Sequence, residues 1–264
     1  MIGIERLDVT FGRGTVLETR ALRGIDLAIP AGQFVTVIGS NGAGKSTLLN
    51  VIIGAVRPET GRIEVDGQEV TGWPAAARAK LMARVFQDPM AGSCETLTIE
   101  ENLALAAARG RRRGLRSALD GTVREQLRDS LAQLGLGLEN RLGDRMGLLS
   151  GGQRQAVSLL MATLAPMRIL LLDEHTAALD PRIAEFVLDL TRRIVTEHGL
   201  TTLMVTHSMR QALACGSRTI MLHEGQICFD LEGEARAGLD VADLIALFAE
   251  VRGQKLDDDT LLLD

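Results

Sequence analysis

The run Gly39-Ser40-Asn41-Gly42-Ala43-Gly44-Lys45-Ser46-Thr47 has the spacing G-x-x-x-x-G-K-[ST]. Its glycines let a backbone wrap close to phosphate oxygens, and the unpaired N–H groups at a helix start favour an anion. Lys45 is spaced to reach the β- and γ-phosphates of a nucleoside triphosphate, and Ser46 to ligate Mg2+. The apolar run "FVTVIG" precedes the loop and the helical stripe "STLLNVIIGAV" follows it, the strand and helix that this chemistry requires. An accidental glycine-rich turn would need neither flank.

A second set of groups lies further along. Ile169–Leu172 is an apolar run that ends in Asp173 and Glu174. A carboxylate at the tip of a buried strand can hold Mg2+, directly or through water, and the next one is placed to polarise an attacking water. Alone, the pattern only marks a strand end; beside the Lys45 loop it acquires chemistry. Ser150-Gly151-Gly152-Gln153 opens another helical stripe, "RQAVSLLMATL". The positive end of that helix can bind phosphate. The same letters also read as an ordinary serine N-cap followed by a flexible glycine pair.

The elements that must hold these groups are legible in outline. The first sixty residues read as strands joined by tight turns, among them "IERLDVTF", "GIDLAI" and the buried "FVTVIG". Asp66-Gly67 in "RIEVDGQEV" is a hairpin pair, and Gly54 marks the end of the first helix. From about Asp88 to Pro166 the pattern turns helical, with a Thr-x-x-Glu capping signal at Thr98 and Glu101 and a second stripe in "VREQLRDSLAQLGLG". Strands return in "RILLLD", "LTTLMVTH" and "RTIMLHEGQICFD", the last a hairpin about Glu224-Gly225. A capped helix, "DVADLIALFAEV", precedes an acidic end. The order is strands, helical insert, strands.

Composition narrows the class. The chain of 264 residues is long for one domain and short for two, and its 46% hydrophobic content fills a sizeable core. A net charge of −5 argues against nucleic acid as the main partner. Cys94, Cys215 and Cys228 form no C-x-x-C pair, which fits a reducing cytosol. The start "MIGIERLDVTFG" has no signal-peptide pattern, and no apolar run approaches the ~18 residues of a membrane span.

Taken together, the chain resembles the ATP-binding cassette (ABC) ATPases over about residues 1–235. "GSNGAGKS", Gln87 in "FQDP", "LSGGQ", "LLLDE", "AALD" at Ala177–Asp180 and His207 in "VTHS" follow in that family's order. The resemblance implies an α/β fold: a P-loop NTPase (RecA-like) core with an N-terminal antiparallel β subdomain and an inserted α-helical subdomain. It implies one nucleotide-binding domain over 1–264. Residues 1–88 and 166–237 form the catalytic core with the β subdomain, 89–165 the helical subdomain, and 238–264 a C-terminal helix and acidic tail. It also accounts for two phosphate cradles in one chain. Two subunits pack head to tail, and each ATP lies between the Lys45 loop of one and Ser150, Gly151, Gly152 and Gln153 of the other. By the same resemblance Gln87 senses Mg2+ and water and links to a membrane partner. Glu174 is the general base, His207 contacts the γ-phosphate, Asp180 belongs to a loop crossing the dimer interface, and Phe11 stacks on adenine where the family often has tyrosine. The competing reading makes Phe11 a core strand residue.

The chain departs from the family at His175, which stands where proline usually follows the glutamate; it reads either as a functional addition or as a neutral loop substitution. The stretch after LSGGQ also lacks an arginine that many members carry. Arg109, Arg111, Arg112, Arg113 and Arg116 read as a contact for anionic lipid or a membrane partner, or as a solvated helix junction.

A lone cassette without a membrane segment resembles the ATPase subunits of bacterial uptake systems, a subfamily often linked with amino-acid-type substrates. That implies a homodimer or a pair with a close paralogue, separate integral membrane permease subunits, a periplasmic solute-binding protein, and a cytoplasmic place on the inner face of the membrane. The alternative is a cassette serving an exporter or a mechanical signalling complex.

Overall fold

The computed structural model describes residues 1–110 and 118–252, with side chains through 250. Arg111, Arg112, Arg113 and Arg116 and the acidic end therefore lie outside the described residues. The strands are β1 (Ile2–Phe11), β2 (Thr19–Ile29), β3 (Phe34–Ile38), β4 (Thr60–Val65), β5 (Gln68–Glu69), β6 (Met82–Val85), β7 (Ile169–Asp173), β8 (Thr201–Val205), β9 (Arg218–His223) and β10 (Gln226–Glu232). The helices are α1 (Lys45–Ile53), α2 (Ala75–Arg78), α3 (Ile99–Ala107), α4 (Gly121–Ala132), α5 (Gly151–Thr163), α6 (Pro181–His198), α7 (Met209–Ala214), α8 (Glu234–Ala237) and α9 (Val241–Arg252). The chain divides into two compact units, one of Met1–Ala75 with the chain from Leu200 onward, the other Ala76–Gly199.

In the first unit β2, β1, β4 and β5 form an antiparallel sheet. Asp66 and Gly67 join β4 to β5 with φ of 50° and 76°, the doubly left-handed geometry of a tight hairpin. The strands β10, β9, β3 and β8 lie side by side in that order, with β3 parallel to both neighbours. All five residues of β3 and of β8 are buried, which is why neither shows the apolar–polar alternation of a one-sided strand. The β9–β10 hairpin turns at Glu224 (φ 46°) and Gly225 (φ 79°). Helix α9 seats Leu244 and Phe248 against Ile38, Met209, Ala212 and Met221. Its start is capped reciprocally, Asp240 and Asp243 each accepting the other's backbone N–H at 2.9 Å.

In the second unit β6 and β7 pair in parallel. The helical stretch holds α3, α4 and α5. Thr98 and Glu101 complete the expected capping box on α3; Asp120 caps α4 through Val123 N–H at 2.9 Å. Arg109 is no solvated junction: its guanidinium donates to the carbonyls of Ala162 (2.7 Å) and Ala165 (3.3 Å) at the end of α5. The longest helix among the described residues, α6, falls outside the elements read from the sequence, although its boundaries are written there. Asp180 is the N-cap, Pro181 occupies the first turn, and Gly199 ends the helix at φ 57°. Among the described residues no helix is long and apolar enough to cross a membrane.

Candidate functional site

In the first unit, the loop after β3 and the loop after β8 leave the same edge of two adjacent parallel strands. Val37 pairs with Val205, and Thr206 N–H donates to Val37 O at 3.1 Å. Gly39 and His207 each lie two residues beyond that pair, at the carboxyl ends where open α/β sheets bind ligands. The sequence dictates the shape of the first loop. Gly39 has φ 148° and Gly44 φ 101°, and a Cβ at either would come within 2.2 Å of Leu222 O or 2.5 Å of Ala21 O. Alanine therefore fits neither position. Gly44 is the N-cap of α1 and supplies no side-chain cap. Lys45 is buried and folds back over its own loop, donating to Gly39 O at 2.7 Å and Ser40 O at 3.0 Å. Asn41 and Gly42 at the crown are exposed, as is Ser46, while Ala43 is buried and Thr47 half-buried. This is a helix start whose N-cap residue makes no side-chain cap bond, with an ammonium inside the turn. Thr206 Oγ1 bonds Gln211 Oε1 (2.9 Å) and accepts Ser208 N–H (3.1 Å), which fixes the backbone around His207. Phe11 ends β1 and is 43% exposed, so it is not a core strand residue. Val16 and Leu17, close after it in the chain, are also exposed.

In the second unit the same arrangement recurs. Val85 pairs with Leu172, so Gln87 and Glu174 each lie two residues past one parallel pair. Gln87 is exposed; Asp173, Glu174 and His175 are buried. Glu174 has φ 46°, a left-handed conformation that a residue with a Cβ adopts only at a cost. Asp173 is ion-paired with Arg84, a residue that the sequence reading missed; its one signal was a lone charge inside the apolar strand "LMARVF". The Arg84 guanidinium also lies 4.7 Å over the Phe86 ring.

His175 turns inward. Its Nε2 lies 3.0 Å from Thr191 Oγ1. That hydroxyl donates its one hydrogen to Val187 O at 2.8 Å, so it accepts from His175, which is the Nε2–H tautomer. Desolvation by full burial pushes the imidazole pKa down to about 4. His175 thus pins the segment after Glu174 to the middle of α6, and Asp180 caps the start of the same helix through Ile183 N–H at 3.2 Å.

The second helix start differs from the first. Ser150 Oγ accepts Gln153 N–H at 3.3 Å, and Gln153 Oε1 accepts Ser150 N–H at 3.2 Å. The serine N-cap is therefore real. Its bonds are long, and Ser150 and Gly151 are exposed, so another acceptor can replace the serine oxygen. Gly152 is set against α6: a Cβ there would stand 2.1 Å from Ile183 Cγ2. Leu148, two residues before the cap, is 69% exposed. Arg154 holds the preceding turn by donating to the carbonyls of Gly147 (3.1 Å) and Leu149 (3.0 Å). Gln155 reaches from α5 to Phe86 O at 3.2 Å, the residue before Gln87. A cavity of about 780 Å³ opens beside this strand end, lined among others by Lys80, Arg84, Phe86, Cys94, Arg109 and Ser158.

Against known proteins, the family described as ABC transporter matches residues 22–177. A tyrosine transport ATP-binding protein of Clostridioides difficile is 40% identical over 248 residues, covering 94% of this chain and 98% of the relative. An aliphatic sulfonates import ATP-binding protein of Rhizobium johnstonii is 35% identical over 231 residues, covering 87% and 76%. Among solved structures, a dimeric ATP-binding cassette in a post-hydrolysis state, bound to ADP and Pi, superposes with a TM-score of 0.77 at 28% identity, covering 90% of this chain and all of that one.

Proposed function

The chain belongs to the ABC transporter family and is an ATP-binding ATPase coupled to transmembrane transport, and from that premise we propose that it powers solute import as a head-to-tail dimer. The observation that carries the proposal is the inequality of the two helix starts. The start of α1 has no side-chain cap and has Lys45 turned into its loop, as a primary phosphate site requires. The start of α5 is closed by its own serine and exposed, as suits a surface that meets phosphate only when a second subunit presents it. The exposed Leu148 gives that surface an apolar edge. That a similar cassette bound to ADP and Pi is dimeric supports a dimer here.

In this mechanism Phe11 stacks on adenine, and the backbone from Gly39 to Thr47 with Lys45 holds the β- and γ-phosphates. Ser150, Gly151, Gly152 and Gln153 of the other subunit close over the γ-phosphate, and Asp180 lies in the segment that faces the interface. Ser46, Gln87 and Asp173 would hold Mg2+, which supplies charge neutralisation at the phosphates. The donor set fits that ion. Among the described residues no group of three His, Cys, Asp or Glu could hold a metal; one or two carboxylates with hydroxyl, amide and phosphate oxygens are how Mg2+ is bound beside a nucleotide. Glu174 takes a proton from water as the water oxygen bonds to the γ-phosphorus. His207 aligns the attack, and the bond to the β-phosphate oxygen breaks.

The solute class proposed is an amino acid, with tyrosine the first to test, because the relative named for tyrosine transport matches nearly end to end. The permease subunits are separate chains that dock at the cavity beside Gln87, a periplasmic binding protein delivers the solute, and the cassette sits on the cytoplasmic face of the membrane. The test is affinity capture from mildly solubilised membranes of the host, with Glu174→Gln and Lys45→Ala run beside wild type. Glu174→Gln should accumulate an ATP-bound dimer with hydrolysis nearly abolished, and Lys45→Ala should lose nucleotide binding. A multi-span permease with a binding protein encoded beside it supports import. A membrane protein with a large periplasmic domain instead moves the function to export or signalling.

A further inference from the structure

Arg84 and Asp173 meet in the interior of the second unit. Arg84 pairs in register with Leu171, which puts it on the same face of the parallel pair as Asp173, two residues on. Their side chains are 9% and 10% exposed, and the guanidinium donates to Asp173 Oδ2. A carboxylate this deeply buried is costly unless a cation compensates it. Here a compensating cation is in place before any divalent ion arrives, and it comes from β6, three residues ahead of Gln87.

Resting on the reading of Asp173 as a magnesium carboxylate, we propose that Arg84 is its resident counter-ion and sets how much Mg2+ the nucleotide site requires. Two cations on one buried carboxylate repel each other strongly at such range, so Arg84 and Mg2+ compete. The guanidinium already lies over the Phe86 ring while it is paired, and the cavity that both residues line leaves it room to move away from Asp173. The pair balances the charge of the buried carboxylate when the site is empty and raises the Mg2+ level needed to fill it.

The sign of the effect separates this role from mere packing. Groups that support a metal ligand change metal affinity by about 10- to 100-fold when removed. Removal of a supporting group weakens binding, whereas removal of a competing cation tightens it. The experiment is calorimetric titration of Mg2+ into the ADP-loaded full chain, comparing wild type, Arg84→Met, Arg84→Lys and Asp173→Asn. Arg84→Met should bind Mg2+ about tenfold more tightly or better, with ADP affinity in EDTA unchanged; Arg84→Lys should stay near wild type. A second readout is thermal. Arg84→Met with ADP should melt below wild type in EDTA, where Asp173 has lost its guanidinium partner, and recover when Mg2+ is added. If Asp173→Asn alters Mg2+ binding but Arg84→Met leaves it unchanged or weaker, Arg84 is a structural residue and the proposal is overturned. If Asp173→Asn itself leaves Mg2+ binding unchanged, the magnesium assignment of Asp173 fails, and this proposal fails with it.

Discussion

Gly151 and Gly152 stand next to each other in the same motif, yet alanine should have opposite effects at the two positions. At Gly152 the added Cβ would lie 2.1 Å from Ile183 Cγ2 and 3.3 Å from Ile183 Cβ. The first distance is far inside van der Waals contact, so α5 and α6 must part or Ile183 must leave its rotamer; overpacking of this kind costs about 1–3 kcal/mol. Alanine in place of glycine in a helix returns up to about 1 kcal/mol, which leaves Gly152→Ala destabilised by up to about 2–3 kcal/mol. At Gly151 the nearest atom is Leu179 Cδ2 at 3.7 Å, an ordinary contact, so Gly151→Ala should be neutral or gain up to about 1 kcal/mol. Urea denaturation of both variants, and of Gly152→Ala in an Ile183→Ala background, measures the difference directly. The Ile183→Ala background removes the clashing methyl and should cancel the cost of Gly152→Ala, a coupling of about 1–3 kcal/mol between neighbours. Equal stabilities for the two single variants, or an undiminished cost without Ile183, would refute the packing argument.

Two further predictions concern stability. His175 has its pKa lowered from 6.5 to about 4 by desolvation, so the unfolded chain takes up its proton before the folded one does. Stability should be unaffected by this group above pH 6.5 and fall by up to about 1.4 kcal/mol per pH unit from there toward pH 4. His175→Gln keeps a donor for Thr191 without titrating, and denaturation at pH 7, 6 and 5 should show a shallower slope for it; identical slopes would count against the assignment. Thr98→Ala removes the acceptor of Glu101 N–H, and about 1 kcal/mol should go with it, read by the same denaturation at constant pH.

What the sequence made legible was mostly local. The Asp66-Gly67 and Glu224-Gly225 turns and the Thr98/Glu101 box each lie within a few residues, where chirality and one hydrogen bond decide the geometry. The Lys45 loop belongs with them, since its glycines are required by its own backbone angles. Helix α6 is harder to read despite its Asp180-Pro181 start, because the same aspartate fits an interface loop as well as an N-cap. The Arg84–Asp173 pair joins residues 89 positions apart, and only the parallel register of β6 on β7 places them together. The inward turn of His175 is hidden for the same reason: its partner Thr191 lies on a helix that the sequence reading had not drawn.

The cavity beside Gln87 has a native chemical handle on its wall. Of the three cysteines, Cys215 is buried while Cys94 and Cys228 are exposed. The Thr96 hydroxyl, 3.6 Å from the Cys94 sulfur, holds that thiol below the ordinary range, whereas burial raises Cys228. A maleimide dye at slightly acid pH should therefore label Cys94 first, with no cysteine introduced or removed. Cys94 lines the cavity, so the dye's emission would report, in an otherwise unmodified chain, the moment at which something fills it.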